Sequence, residues 1–173
     1  MGRIVNQTNY AELGFDTPQQ AKVVTPGRPM RIATLQLDRL ARYNPGDDIS
    51  ALLSDDAETL YPLMIGNDVK SSFTIAGAGH DFTASRFGDA TIAVRLASPQ
   101  TVCGATVVPD EFIIHVPVFG LYLVAGNSGG NLMLTSVSDT SALGIQRCAP
   151  QRAAQFLRQL GVHARLVVAT GPI

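Results

Sequence analysis

Apolar and polar residues alternate in several short stretches of the chain, and this period of two predicts β-strands. In residues 30–37, Ile32 and Thr34 fall on one side of an extended ribbon, and Ala33 and Leu35 fall on the other. Similar stretches of five to seven residues predict further strands at 81–86, 90–96, 112–118 and 121–125. The chain is therefore expected to contain many short strands.

Two longer patterns predict β-hairpins. In residues 60–75, two apolar stretches can face each other across a turn at Gly66-Asn67-Asp68, because glycine and asparagine tolerate positive φ. Pro62 lacks an amide hydrogen, so its strand should lie at a sheet edge or leave that side unpaired. A second hairpin is predicted where the glycine-rich residues 126–130 precede an alternating stretch at 131–137.

Capping signals predict two short helices. Thr17 and Pro18 supply a hydroxyl cap and a proline at the first position of a helix that should end before Pro26. Asp38 can cap a second helix, which should end before Asn44 because a proline follows that residue. The two helices lie on either side of the first predicted strand.

The strongest helical pattern lies near the end of the sequence. Residues 149–160 repeat apolar side chains with the 3.6-residue period, with Pro150 in the first turn and glutamine and arginine on the opposite side. The apolar positions are Ala153, Phe156, Leu157 and Leu160. Gly161 is predicted to end this helix, and residues 162–169 are predicted to form a last strand.

Together these elements predict an α+β fold, in which a mainly antiparallel sheet with β-hairpins packs against a few short helices, including the C-terminal amphipathic helix. A length of 173 residues suits one domain with a sizeable core, and the 46% of hydrophobic residues argue against disorder. Residues 1–16 show no clear period and are predicted to form a loosely ordered N-terminal arm. Residues 17–173 are then the domain.

The charge distribution argues against two kinds of partner. The net charge is −1, from 13 basic and 14 acidic residues, and no basic stripe is present to neutralise a nucleic-acid backbone. The longest uncharged stretch, residues 112–138, alternates too much for a membrane-spanning helix. We therefore expect neither nucleic-acid binding nor a transmembrane segment.

The two cysteines and the few lysines favour an exported protein. Lys22 and Lys70 are the only lysines, while threonine, serine and glycine are abundant. We expect a periplasmic or extracellular location, with the signal peptide absent from this sequence. Cys103 and Cys148 would then form a disulfide, and closing that loop would stabilise the fold by up to about 4 kcal/mol.

The segment Gly126-Asn127-Ser128-Gly129-Gly130 resembles the residues around the nucleophile of chymotrypsin-like serine proteases. The resemblance implies Ser128 as nucleophile, the loop amides as an oxyanion hole, and His80 and Asp89 as the histidine and aspartate that come earlier in the chain. Two features depart from that family: only 48 positions separate His80 from Ser128, and Asn131 rather than a proline follows the glycines. We expect a turn here and assign no catalytic residue.

Other chemical sites are also poorly supported. Cys148 precedes the predicted C-terminal helix, so a cysteine nucleophile paired with His80, His115 or His163 is the enzymatic alternative to a disulfide. The three histidines are far apart, and the cysteines form no paired motif, so we expect no metal and no cofactor. A calcium loop needs its ligands in a set order, and this order is lacking in the acidic residues Asp47, Asp48, Asp55 and Asp56.

The sequence leads to one leading functional hypothesis and two alternatives. Many apolar strand residues and few convergent polar groups favour a non-catalytic exported module that binds a protein, a peptide or a small-molecule ligand. One alternative is a hydrolase that uses Ser128 or Cys148 with one of the three histidines. The other is a structural component of an envelope or secretion assembly. The sequence leaves the oligomeric state open.

Overall fold

Strand pairing in the computed structural model of the chain is mainly antiparallel, which confirms the predicted α+β class. The structure describes residues 8–54, 58–78, 81–88, 90–97, 103, 112–138 and 141–170. In chain order the strands are β1 (Thr25–Pro26), β2 (Met30–Thr34), β3 (Glu58–Ile65), β4 (Asp68–Ala78), β5 (Asp81–Phe87), β6 (Phe112–Val116), β7 (Leu121–Ser128), β8 (Asn131–Ser136) and β9 (Gln151–Arg152). The α-helices are α1 (Leu37–Ala41), α2 (Ala90–Ala97) and α3 (Ala153–Thr170).

Contacts within the chain group it into two units. Unit 1 consists of Met1–Arg31 and Ala57–Ser98, and unit 2 consists of Ile32–Asp56 and Pro99–Ile173. Each unit contains β-strands, a helix and its own buried apolar cluster. The boundary expected between an N-terminal arm and a single domain at residue 17 stays a prediction.

The predicted hairpin in residues 60–75 is confirmed in unit 1. Strands β3 and β4 pair across a turn at Gly66, whose φ is +60°, and Tyr61 stacks on Phe73 with 4.9 Å between ring centroids. The Pro62 carbonyl accepts a hydrogen bond from the amide of Gly27 at 2.7 Å. The N and O atoms of a strand residue point to the same side of the strand, so the nitrogen of Pro62 also lies on the side of Gly27, away from β4. Its missing hydrogen therefore does not interrupt the β3–β4 ladder.

The helix predicted to begin at Thr17 is wrong. A short 3-10 helix, Gln20–Lys22, forms instead, and the β-branched residues 23–25 that follow it disfavour a longer helix. The Asp16 amide donates to Oε1 of Gln20, and Nε2 of Gln20 donates back to the carboxylate of Asp16. Hydrogen bonds from Gln20 and then from Lys70 lower the pKa of Asp16.

The strand predicted at residues 90–96 is also wrong, because this segment forms helix α2. A strand would place Ile92, Val94 and Leu96 on one side. In the structure Val94 is 40% exposed, whereas Ala93 and Leu96, which are three residues apart, are buried. The helical spacing therefore fits burial against the rest of unit 1 better than alternation does.

The sheet of unit 2 buries one face under α3. Residues Ile32 to Thr34 of β2 pair in parallel with β6, and β6, β7, β8 and β9 follow in antiparallel order. Register pairs such as Ile114 with Leu123 and Ala125 with Leu134 point to the same face. This face forms one buried cluster with Phe156, Leu157 and Leu160 of α3 and with Leu40 of α1.

Helix α1 confirms a prediction but not its cap. The helix spans Leu37–Ala41, and the residue before it, Gln36, makes no capping bond with its side chain. Asp38 lies in the first turn instead and accepts a hydrogen bond from Arg42 at 3.2 Å. A carboxylate in the first turn still suits the positive end of the helix dipole.

Helix α3 starts later and ends later than the sequence predicts. Its start is delayed because Gln151 and Arg152 pair with β8 as strand β9. Gly161 does not end the helix, and the strand predicted at residues 162–169 is wrong, because the helix continues to Thr170. A Cβ on Gly161 would lie 3.3 Å from the carbonyl oxygen of Leu40. The glycine therefore lets α1 and α3 approach closely, which is why it stands inside a helix despite its low propensity.

Replacing Gly161 by valine should destabilise the protein, because the new side chain meets the backbone of α1. We expect the free energy of unfolding to fall by about 1–3 kcal/mol. Ala154→Val, at an exposed position of the same helix, is the matched control and should cost only about 0.5 kcal/mol. Denaturant unfolding followed by circular dichroism measures both values. Equal losses would contradict the close contact between the two helices.

Candidate functional site

Ser128 lies at the end of strand β7, next to a two-residue hairpin turn. The turn residues Gly129 and Gly130 have φ values of +57° and +77°, which suits the mirror-image turns that match the twist of β-hairpins. Ser128 is paired with Asn131 across the turn, and its side chain is exposed. The glycine cluster therefore reverses the chain, as the second predicted hairpin requires.

The register of the sheet separates Ser128 from His115. His115 of β6 lies opposite Tyr122 of β7, and Tyr122 is six residues before Ser128 on the same strand. At about 3.3 Å per residue, this places His115 about 20 Å along the strand from Ser128. That distance exceeds hydrogen-bond reach, so the imidazole of His115 does not face the Ser128 hydroxyl.

His115 is part of a ring pair between strands. Its imidazole stacks on the ring of Tyr122 with 4.4 Å between centroids and an interplanar angle of 12°. Both side chains are half-buried, and such cross-strand pairs stabilise a sheet. His163 is half-buried on α3, whereas His80 and Asp89 lie outside the described residues. The candidate base His80 therefore stays a prediction.

Cys148 is joined to Cys103 by a disulfide, with 5.0 Å between the two Cα atoms. The pairing expected from the cysteine count is therefore present, and in this form Cys148 carries no thiol that could act as a nucleophile. The Cys148 amide donates to the carbonyl of Ser136 at 2.9 Å, and this hydrogen bond holds the residues before α3 against β8. The backbone of Cys148 has a φ of +60°, which is unfavourable for a side chain other than glycine.

The acidic segment before β3 contributes to local structure. Asp48 accepts hydrogen bonds from the amide of Ser50 at 3.0 Å and from its hydroxyl at 2.6 Å, and these bonds lower the pKa of Asp48. Asp47 accepts a hydrogen bond from the amide of Asn44 at 2.8 Å. Asp55 and Asp56 lie outside the described residues. Within the described part of the chain, no group of three or more potential metal ligands comes together.

An apolar row on the outward side of α3 is the main surface feature of unit 2. Val162 is 49% exposed and Leu166 is 59% exposed, and Ala169 continues the row one turn later. We call Val162, Leu166 and Ala169 the outer row. The opposite face of the same helix is fully buried at Phe156 and Leu157. A helix on a protein surface usually presents polar residues to water, so this row needs a physical explanation.

Two arginines border the outer row. Arg158 and Arg165 are exposed, and they lie seven residues apart on the same side of the row. Nη1 of Arg165 donates to the carbonyl of Ala41 at 3.3 Å. Neither arginine is in a salt bridge with any residue that the structure describes, and α3 contains no aspartate or glutamate. The border of the row is therefore positively charged, with no salt bridge to the part of the chain that the structure describes.

The outer row was not predicted from the sequence. A strand was predicted after Gly161, and that prediction removes Val162, Leu166 and Ala169 from the helix that carries them. The signal was nevertheless present, because the outward positions recur at alternating spacings of four and three residues. These positions are Gln155, Gln159, Val162, Leu166 and Ala169, although the Gln159 side chain is half-buried and donates to the carbonyls of Leu143 and Gly144.

Comparisons of the chain with protein-family models, with curated proteins and with solved structures find no match. Among the described residues, no helix is long and apolar enough to cross a membrane. A function for this chain must therefore be inferred from its own exposed side chains, charges and bonds.

Removing the disulfide should lower stability, and the loss should depend on which residue replaces Cys148. We expect Cys103→Ser/Cys148→Ser to lower the free energy of unfolding by up to about 4 kcal/mol, because a loop that spans 45 residues is no longer closed. Cys103→Ser/Cys148→Gly should recover about 1 kcal/mol of this loss, because glycine adopts a φ of +60° without strain. Denaturant unfolding measures both variants.

Oxidised and reduced wild-type protein serve as controls for the two disulfide variants. The reductant should destabilise the wild type and leave both variants unchanged. If the serine and glycine variants were equally stable, the strained backbone at Cys148 would be refuted.

Proposed function

We propose that this protein is a non-catalytic exported module that binds another protein or a peptide through the outer row of α3. The observation that carries the proposal is the exposure of Val162 and Leu166 on a helix whose other face is buried from Ala153 to Ala164. Contiguous exposed apolar side chains with a polar border are typical of protein interaction sites. Small-molecule ligands are usually enclosed in clefts, whereas the outer row consists of exposed side chains on a helix. A protein or peptide therefore fits it better than a small molecule does.

The arrangement of the two candidate nucleophiles, Cys148 and Ser128, supports a non-catalytic role. Cys148 is held in a disulfide, and Ser128 lies on a turn about 20 Å along the sheet from His115. Neither arrangement offers the contact between nucleophile and base that hydrolysis requires. The hydrolase hypothesis retains His80 and His163 as candidate bases for Ser128, and no contact of the described residues favours it.

The disulfide supports export as part of the same proposal. Disulfides form and persist in the periplasm and outside the cell, whereas the cytosol keeps thiols reduced. The bridge between Cys103 and Cys148 closes a long loop, and one of its two cysteines, Cys148, is bonded through its amide to Ser136 just before α3. A location in an oxidising compartment would therefore preserve the geometry of the proposed binding surface.

Selection of peptides from a random displayed library tests the proposed surface. Peptides selected on the oxidised wild-type protein should bind Leu166→Glu at least tenfold more weakly, because a carboxylate would then be buried in the centre of the apolar row. Fluorescence anisotropy with the synthetic peptides measures the dissociation constants.

The matched control is Val118→Glu, which changes another exposed apolar residue of unit 2, at 42% exposure. This variant should bind the peptides as the wild type does. Peptides that bind Leu166→Glu as tightly as they bind the wild type would show that the outer row is not the binding surface.

A further inference from the structure

We infer that the partner presents an amphipathic helix with acidic residues along one border, which packs lengthwise on the outer row of α3. This inference rests on the proposed function and names the chemical class of the partner. It combines the spacing of the outer row with the positive charge of Arg158 and Arg165 beside it.

The spacing of the outer row fits a helical partner. Val162, Leu166 and Ala169 continue the alternation of four and three residues that begins at Gln155 and Gln159. This alternation keeps one row of side chains facing a neighbouring helix, which is the basis of coiled-coil packing. An extended strand repeats every two residues and needs a sheet edge for its backbone hydrogen bonds. The apolar part of the row is about two helical turns long, so a helix of three or four turns would cover it.

The charges beside the row fit an acidic partner. Arg158 and Arg165 occupy equivalent positions of the repeat, immediately before Gln159 and Leu166, of which only Leu166 is exposed. Residues at such flanking positions form salt bridges between paired helices and select the partner. Because neither arginine has a salt bridge with a described residue, both charges are available to glutamate or aspartate on a second helix. Complementary charge of this kind selects one partner over another and speeds association.

A second copy of α3 is a poor partner for the same surface. The helix contains no acidic residue, so two paired copies would bring four arginines to one interface with no carboxylate from either helix. Like charges at flanking positions destabilise helix pairs. The positive border therefore favours a different chain over self-association through the outer row.

An anionic membrane surface also fits the outer row less well. Helices that lie on membranes usually insert a broad apolar face with large side chains such as tryptophan, phenylalanine or leucine. The outer row offers one leucine, one valine and one alanine, and the broad apolar face of α3 is already buried in unit 2. Two arginines alone attract a helix only weakly to such a surface.

Two designed peptides test the inference directly. Both are helical and carry leucine at the positions that would face the outer row. One peptide has glutamate at every position that flanks these leucines, and the other has lysine there. At 0.15 M salt, the glutamate peptide should bind the oxidised protein at least tenfold more tightly than the lysine peptide, as measured by fluorescence anisotropy. Arg158→Glu/Arg165→Glu should reverse this preference.

Arg28→Glu/Arg31→Glu is the matched control, because it changes the net charge equally at exposed positions of unit 1. This control should keep the preference for the glutamate peptide. Loss of the preference in the control as well as in the α3 variant would overturn the inference, since binding would then follow net charge alone. Equal binding of both peptides, or of neither, would also overturn it.

The outcome for Leu166→Glu separates this inference from the proposed function. If both peptides bind equally and Leu166→Glu abolishes the binding of each, the outer row is a binding surface but its partner is not selected by acidic charge. Sedimentation of the wild type as a dimer that Leu166→Glu dissociates would identify a second copy as the occupant. Arginine-dependent binding to vesicles that contain phosphatidylserine, without binding to the glutamate peptide, would identify a membrane. Either result overturns the inference.

Discussion

Burial of the inner face of α3 against the sheet of unit 2 is the interaction on which the rest of this account depends. Phe156, Leu157 and Leu160 have no exposed surface and form one cluster with side chains of β6, β7 and β8. Burying a large apolar side chain contributes about 1.5–3 kcal/mol, so three such residues strongly favour one rotation of the helix about its axis. Once that rotation is set, the outward direction of Val162 and Leu166 follows from the helical period.

Two further contacts hold α3 in position along its axis. Gly161 allows the carbonyl of Leu40 to approach closely, and that contact ties the middle of α3 to α1. Before the helix begins, the bond from the Cys148 amide to the Ser136 carbonyl holds the chain against β8, and the disulfide links the same residue to Cys103. The outer row is therefore carried by a helix that is anchored at its start and in its middle. A surface fixed in this way loses little conformational freedom when a partner binds.

Local signals in the sequence were sufficient for the hairpins and for the first half of α3. The turns at Gly66 and Gly129 lie between alternating stretches, where glycine is typical of a tight hairpin turn. Residues 90–96 and 162–169 were predicted wrongly because short apolar stretches suit a strand or a helix equally well, and only their packing decides. The sequence predicts a helix end at Gly161. In the structure this glycine instead allows a close contact with Leu40, which is far away in the sequence. A helix that ends at Gly161 does not carry Val162, Leu166 and Ala169. The candidate binding surface is therefore visible only in the structure.

The most direct test of this account compares the same substitution on the two faces of α3. Leu157 is fully buried and Leu166 is 59% exposed, and both can be replaced by alanine without loss of helix propensity. With the disulfide intact, denaturant unfolding should show a loss of about 2–5 kcal/mol for Leu157→Ala and less than about 0.5 kcal/mol for Leu166→Ala. Equal losses for the two variants would show that the outer row is part of a core, and the binding surface inferred from it would not exist.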